Sequence, residues 1–467
     1  MDYKPALEAY FQDKQELLER YVCRLAAIPS VKGDPAPGAP FGPEVARCLD
    51  QALAIADQLG LHAHNYDGYV GTVDLNDKPD AVHILGHLDV VAAGEGWTVT
   101  GPYQPVAKAG LLYGRGVADD KGPMAAALLA MAAVKQLGIP LKQNAKLILG
   151  TDEESGSADI AYYYAREPYA PCCFSPDADF PVIHIEKGSY KPTFTRRWPL
   201  QDALPRVTRL SGGLRINVLP GDAAAEVAGL DAAAVAGQAG RTAAATGVRF
   251  DLEDTPQGVR IAAKGVGAHA ASPQEGNNAI TALLELLCAL PLAPGAATDA
   301  LSALHALFPH GDTAGHALGI AQADEASGAL TLAFSLLEVG EEGLEGRFDS
   351  RTPLCATADN CQKVAEAAFA RYGISCTGEM GSAHHTPEDS PFVQTLLGCY
   401  EEVTGLPGQC IAIGGATYVH DIPGGVAFGP CMPGVQTNMH GPDERVSVSD
   451  LLTAAKIYAL AIARLCG

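Results

Sequence analysis

Residues 5 to 27 carry apolar side chains at Leu7, Tyr10, Phe11, Leu17, Leu18, Tyr21 and Val22, with charges between them. That spacing predicts one amphipathic helix. A loop rich in proline and glycine follows to Pro43, and a second helical pattern runs to about Gly60. The period then shortens, and strands are predicted around Tyr69 to Asp74 and Ala81 to Leu85. From Pro123 to Gly138 the chain is almost wholly apolar, with Pro near the first turn and Gly just past the end, the boundary signals of a helix. Short apolar segments at Ala145 to Asp152 and Pro181 to Ile185 predict further strands. Strands alternating with helices indicate an α/β fold with a mixed sheet flanked by helices.

The rhythm changes at about Lys187. Residues 222 to 247 are rich in Ala and Gly, and no strand-then-acid pattern returns until about residue 381. Residues 187–381 therefore read as an inserted α+β domain, dividing the principal domain into parts 1–186 and 382–467. In the second part, strands are expected from Ile411 into the Gly414-Gly415 turn and over Val426 to Pro430, and a closing helix from Leu451 to Leu465. The pair His384-His385, beside Pro387 and Glu388, reads as a solvated loop.

A length of 467 residues supports two domains, and 48% apolar with 18% charged residues is the balance of a chain with a large core. Acidic residues outnumber Lys and Arg by 54 to 32, a net charge of −22. This excludes nucleic acid and anionic membrane surfaces as partners, since both need clustered cations. Twelve cysteines without a Cys-x-x-Cys spacing indicate reduced thiols, and Cys172-Cys173 has no role evident from sequence. With no apolar leader and no bilayer-length apolar run, the expected location is cytoplasmic.

Several polar constellations sit at the ends of predicted elements. Asp119 and Asp120 lie between glycines just before the Pro123 helix, where they could cap it or bind a cation. The strand Ala81 to Leu85 delivers His87 and Asp89, either a ligand with its supporting carboxylate or a structural pair. The strand ending at Asp152 delivers Glu153 and Glu154, either a solvated loop or a pair of which one could bind a metal and the other take a proton from water. Asp177 lies ahead of the next strand. The inserted domain offers Asn217, His269 and Arg351, and the Gly414-Gly415 turn offers free amides for an anion.

Gly86-His87-Leu88-Asp89, Gly114 to Gly122, Thr151 to Gly156, Ser175-Pro176-Asp177 and His440 to Glu444 occur in the order and spacing of the co-catalytic di-zinc metallopeptidases. That family includes carboxypeptidase G, the carnosinases and the aminoacylases. Over nearly the whole chain the sequence resembles its bacterial Xaa-His dipeptidase (peptidase V) branch.

The resemblance implies a catalytic domain with an inserted lid, two Zn²⁺ per chain (Mn²⁺ or Co²⁺ also suiting the ligands) and a small peptide as substrate. His87, Asp119 and Asp177 would bind one metal, and Asp119, Glu154 and His440 the other. Glu153 would be the general base and Asp89 the support of His87. His269 and Asn217 would address the scissile carbonyl, and Arg351 with Gly414 and Gly415 the substrate carboxylate. Ala416 and His420 depart from a family pattern with a third glycine and an arginine, which bears on substrate preference. A monomer is compatible with a lid of this length, and so is a homodimer. The implied activity is dipeptide hydrolysis. An N-acyl-amino-acid deacylase on the same site and a non-catalytic binding relative are the alternatives.

Overall fold

The computed structural model describes residues 3–467. Met1 and Asp2, the start of the expected first part, lie outside the described residues. The chain divides into two compact units. The first runs to Ile185 and resumes over His384–Ile411 and Ala416–Gly467. The inserted unit comprises Glu186–Ala383 and Ala412–Gly415.

The first unit is built on a nine-stranded mixed sheet. Its order is His62–Tyr66, Val70–Asp74, Asn144–Gly150, Asp80–His87, Cys172–Ser175, Gly425–Ala427, Val182–Glu186 and His384–His385, with Cys410–Ile413 also paired to Val182–Glu186. Asp80–His87 runs parallel to both Asn144–Gly150 and Cys172–Ser175, and its last seven residues are all buried. Central parallel strands covered on both faces need such continuous apolar runs.

Against this sheet packs the helix Lys121–Gln136, buried at every position from Lys121 to Val134. Its alanines let the helices Gln15–Ala26 and Val448–Leu465 approach closely, and together these elements form the main core. Each buried Leu or Met side chain there contributes roughly 1.5–3 kcal/mol. Among the described residues no helix is long and apolar enough to cross a membrane.

Two sequence expectations need correction here. The helix expected over 5–27 is two helices, Lys4–Phe11 and Gln15–Ala26. In one continuous helix Lys14 would fall on the buried stripe with Leu7, Phe11 and Leu18. The break instead lets it pair with Asp13 and lie over the Tyr10 ring. His384 is no loop residue either. It is buried in an edge strand with Nε2 2.7 Å from the Gly425 carbonyl. Cys172 and Cys173 begin the short parallel strand that the sequence pattern did not reveal.

The inserted unit holds a ten-stranded sheet in the order Arg249–Thr255, Gly258–Lys264, Asp222–Ala228, Arg206–Gly212, Thr331–Gly340, Gly343–Thr352, Gly188–Tyr190 and Met380–Gly381, with Thr193–Arg197 and Ser375–Thr377 alongside. Strand Asp222–Ala228 alternates in burial, with Ala223, Ala225 and Val227 inward. That one-faced pattern gives the helix Ala279–Cys288 a surface to cover. Residues 412–415, expected with the second part of the principal domain, belong to this unit. Arg351 Nη1 donates to the Gly414 carbonyl at 2.6 Å, and Lys187 N to the Ile413 carbonyl at 2.9 Å.

Candidate metal centre

The three adjacent parallel strands of the first unit all end toward one cluster. Asp80–His87 ends at His87, fully buried. Asn144–Gly150 leads through Thr151 and Asp152 into the short turn Glu153–Ser155. Cys172–Ser175 leads to Asp177. Ligand sites of open α/β sheets lie at such carboxyl edges. Asp119 arrives from the turn before Lys121–Gln136, and His440 from the loop before Arg445–Ser447.

Two donor sets result, His87 with Asp119 and Asp177, and Asp119 with Glu154 and His440, each with its ligand atoms within 4.8 Å of one another. His87 Nε2 is 2.9 Å from Asp119 Oδ1 and 3.5 Å from Asp177 Oδ2. His440 Nε2 is 2.8 Å from Asp119 Oδ2 and 3.2 Å from Glu154 Oε1. Asp119 thus offers one oxygen to each set. His440 is the open side of the cluster, its side chain 52% exposed.

Asp89 lies against the His87 ring and serves a second partner as well. His87 Nδ1 donates to the Asp89 backbone carbonyl at 3.0 Å, with the carboxylate further off at 3.5 Å. That carboxylate also accepts the backbone N–H groups of Glu153 at 3.2 Å and Glu154 at 3.1 Å. One residue therefore orients the His87 ring with its backbone and the glutamate turn with its side chain.

The cluster is acid-rich and short of positive charge. Burial and the neighbouring Asp119 carboxylate raise Asp177, and burial with Asp177 and Glu154 nearby raises Glu153 well above an ordinary glutamate. Burial works against Asp119 too, yet the hydrogen bonds from His440 and His87 hold it below the usual carboxylate range. The bonds to Asp119 and Glu154 push His440 up to about 10. Imidazoles and carboxylates competing for protons in this way are what cations would replace. Nitrogen and oxygen donors without a thiolate fit Zn²⁺, Mn²⁺ or Co²⁺.

The model of peptidase family M20/M25/M40 matches residues 83–464, from the His87 strand to the closing helix. The chain belongs to this family. It is accordingly a metal-dependent peptidase, a hydrolase. The M20 chain is 33% identical over 437 residues to YtjP of Bacillus subtilis (strain 168), covering 91% of this chain and 92% of that one. It is 32% identical over 424 residues to the Beta-Ala-Xaa dipeptidase of Lactobacillus delbrueckii subsp. lactis, covering 91% and 90%. Among solved structures it is similar to human carnosine dipeptidase 1, with a TM-score of 0.61 over 100% of this chain and 99% of that one. The identity there is 15%, so this likeness is one of fold.

The remaining candidates of this M20 chain lie in the inserted unit. Asn217 and His269 are brought together there, since Val218 pairs with His269 and the Asn217 carbonyl accepts from Ala270 N at 2.9 Å. His269 Nδ1 accepts from Ala271 N at 3.3 Å, which puts the ring hydrogen on Nε2. Asp349 takes Arg351 Nε at 2.8 Å and Nη2 at 2.9 Å, and Nη1 reaches Gly414. Arg351 and the Gly414-Gly415 turn thus form one group.

Two buried groups next to the centre carry no role in the sequence reading. Glu444, fully buried, accepts backbone N–H groups from the Asp119 turn, and Asp159 accepts the Tyr418 hydroxyl at 2.5 Å. Glu444 was in view as the last residue of the His440 motif. Nothing in the sequence marks Asp159.

Proposed function

We infer that this M20 peptidase is a two-metal dipeptidase that hydrolyses the peptide bond of free-amine dipeptides, Xaa-His and carnosine-like ones or a broader set. The observation that carries this is the pair of donor sets sharing Asp119 beside the buried Glu153 carboxyl. Likeness to a Beta-Ala-Xaa dipeptidase over nine-tenths of both chains supports the dipeptide class.

His87, Asp119 and Asp177 would hold one Zn²⁺, and Asp119, Glu154 and His440 the other. Bound there, two such cations supply Lewis acidity and lower the pKa of water from 15.7 toward ~7. Glu153 takes the proton of the water that attacks the peptide carbon, then delivers it to the leaving amine. Asp89 keeps Glu153 and Glu154 on their separate tasks by holding both amides of that turn. In the inserted unit, His269 with its hydrogen on Nε2 is suited to donate to an oxyanion, where one lost donor costs ~10²–10³ in rate. Asn217, Arg351, Gly414 and Gly415 are assigned to the substrate's carbonyl and carboxylate on the family resemblance.

The test is hydrolysis of Ala-Ala, β-Ala-His, a tripeptide and an N-acetyl amino acid by Zn²⁺- or Mn²⁺-loaded protein. Cleavage of the free-amine dipeptides alone is expected. Turnover of the acetylated substrate alone would make the protein a deacylase.

A further inference from the structure

We propose that Glu444 and Arg115 form a positioning clamp that holds the His440 turn against the Asp119 turn and so sets the spacing of the Asp119, Glu154 and His440 donors. The inference rests on the two-metal reading above and concerns residues that bind no metal themselves.

His440 comes from an unusual stretch of backbone. Asn438, His440 and Asp443 have φ of +55°, +63° and +52°. Side chains with a Cβ avoid this left-handed region, because the Cβ crowds the following carbonyl. Three such residues so close together persist only where the surroundings over-determine the turn.

Glu444 and Arg115 are those surroundings. Glu444 Oε1 accepts the backbone N–H groups of Gly116 at 3.0 Å, Ala118 at 2.9 Å and Asp119 at 3.3 Å. Its Oε2 accepts from Arg115 Nη1 at 2.6 Å. The other arm of the guanidinium, Nη2, donates to the carbonyls of Gly441 at 3.2 Å and Ala93 at 3.3 Å. One ion pair therefore touches the amide of Asp119 at one end and the residue after His440 at the other.

Further contacts keep the clamp in place. Trp97 lies under the guanidinium at 5.4 Å, and Gly114 N donates to the Glu444 carbonyl at 3.0 Å. Arg445–Ser447 pairs with Leu111–Tyr113. Asp443 takes the amides of Thr98 and Val99, both at 2.9 Å. Glu444 and Arg115 are at most 1% exposed. Charge-assisted bonds in that setting are shorter and stronger than neutral ones and fix geometry.

The experiment uses the full chain stripped with a chelator. Zn²⁺ is titrated against a chromophoric chelator, bound metal is counted by elemental analysis, and the melting temperature of the metal-free protein is measured. Glu444→Gln and Arg115→Lys are compared with wild type, with His440→Ala as reference. His440→Ala should bind one metal fewer. Glu444→Gln should weaken one of the two sites by 10–100-fold, the range for groups behind metal ligands. Its half-activating metal concentration should rise by the same factor, and activity should recover at saturating Zn²⁺.

A purely structural role would instead lower the metal-free melting temperature and leave no recovery, which overturns the proposal. So does wild-type affinity at both sites in Glu444→Gln while His440→Ala loses one metal. Retention of both metals by His440→Ala would refute the two-metal reading beneath it. If Glu444→Gln does not fold, Arg115→Lys carries the test. It keeps the charge opposite Glu444 and loses the second nitrogen toward Gly441, so the same shift is expected, and unchanged affinity refutes the clamp.

Discussion

His440 Nε2 lies 2.8 Å from Asp119 Oδ2, which joins a turn late in the chain to one near the start of the helix Lys121–Gln136. With Glu154, Asp177 and Glu153 around them, the carboxylates outnumber the cations available in the protein itself. Added metal should therefore stabilise the fold. At a free concentration 100 times Kd the gain is about 2.7 kcal/mol. Calorimetry with and without chelator should show a melting temperature that rises with Zn²⁺, and activity should be lost on chelation.

Asp89→Ala frees the amides of Glu153 and Glu154 together. A fall in kcat/KM of about 10- to 100-fold is expected, with Asp89→Asn milder because it keeps one acceptor oxygen. Steady-state kinetics on a dipeptide at saturating metal checks both.

Asp159 gives a pH dependence with a definite sign. Burial raises it to about 6 from 3.8, although the Tyr418 hydroxyl and the Thr151 amide pull the other way. The folded state therefore holds the proton more tightly than the unfolded chain. Its contribution to stability is complete below pH ~4 and is lost as pH rises through ~6, a change of about 3 kcal/mol. Urea unfolding between pH 4 and 7 should show wild type losing stability relative to Asp159→Asn across this window. Parallel profiles would contradict it.

Leu129 is fully buried in the helix Lys121–Gln136. Leu129→Ala should cost about 2–5 kcal/mol in unfolding free energy. Removed from the donors, it should leave kcat/KM of the folded protein near wild type.

What the sequence made legible follows from how local each signal is. Pro123 and Gly138 bracket the helix Lys121–Gln136 because both act within one turn. The buried strand Asp80–His87 announces itself by an unbroken apolar run. The donors follow such elements directly, so motif order placed them at strand ends. Long-range pairing was not legible in this way. Cys172–Ser175 is only four residues long and is a strand by virtue of its parallel neighbour. His384 is buried by pairing that involves Gly425 and His184. Gly414 joins the inserted unit through Arg351, distant in sequence. The Lys14 break needs knowledge of what the helix packs on, and Glu444 needs the Asp119 turn beside it.

The most direct test of a two-metal dipeptidase at this centre is kcat/KM of Glu153→Gln on β-Ala-His and Ala-Ala, with bound metal counted in the same samples. Loss of the base should lower kcat/KM by ~10²–10⁴-fold while two metals per chain remain bound. Activity within a few-fold of wild type, or no dipeptide cleavage by the fully loaded wild type, would contradict it.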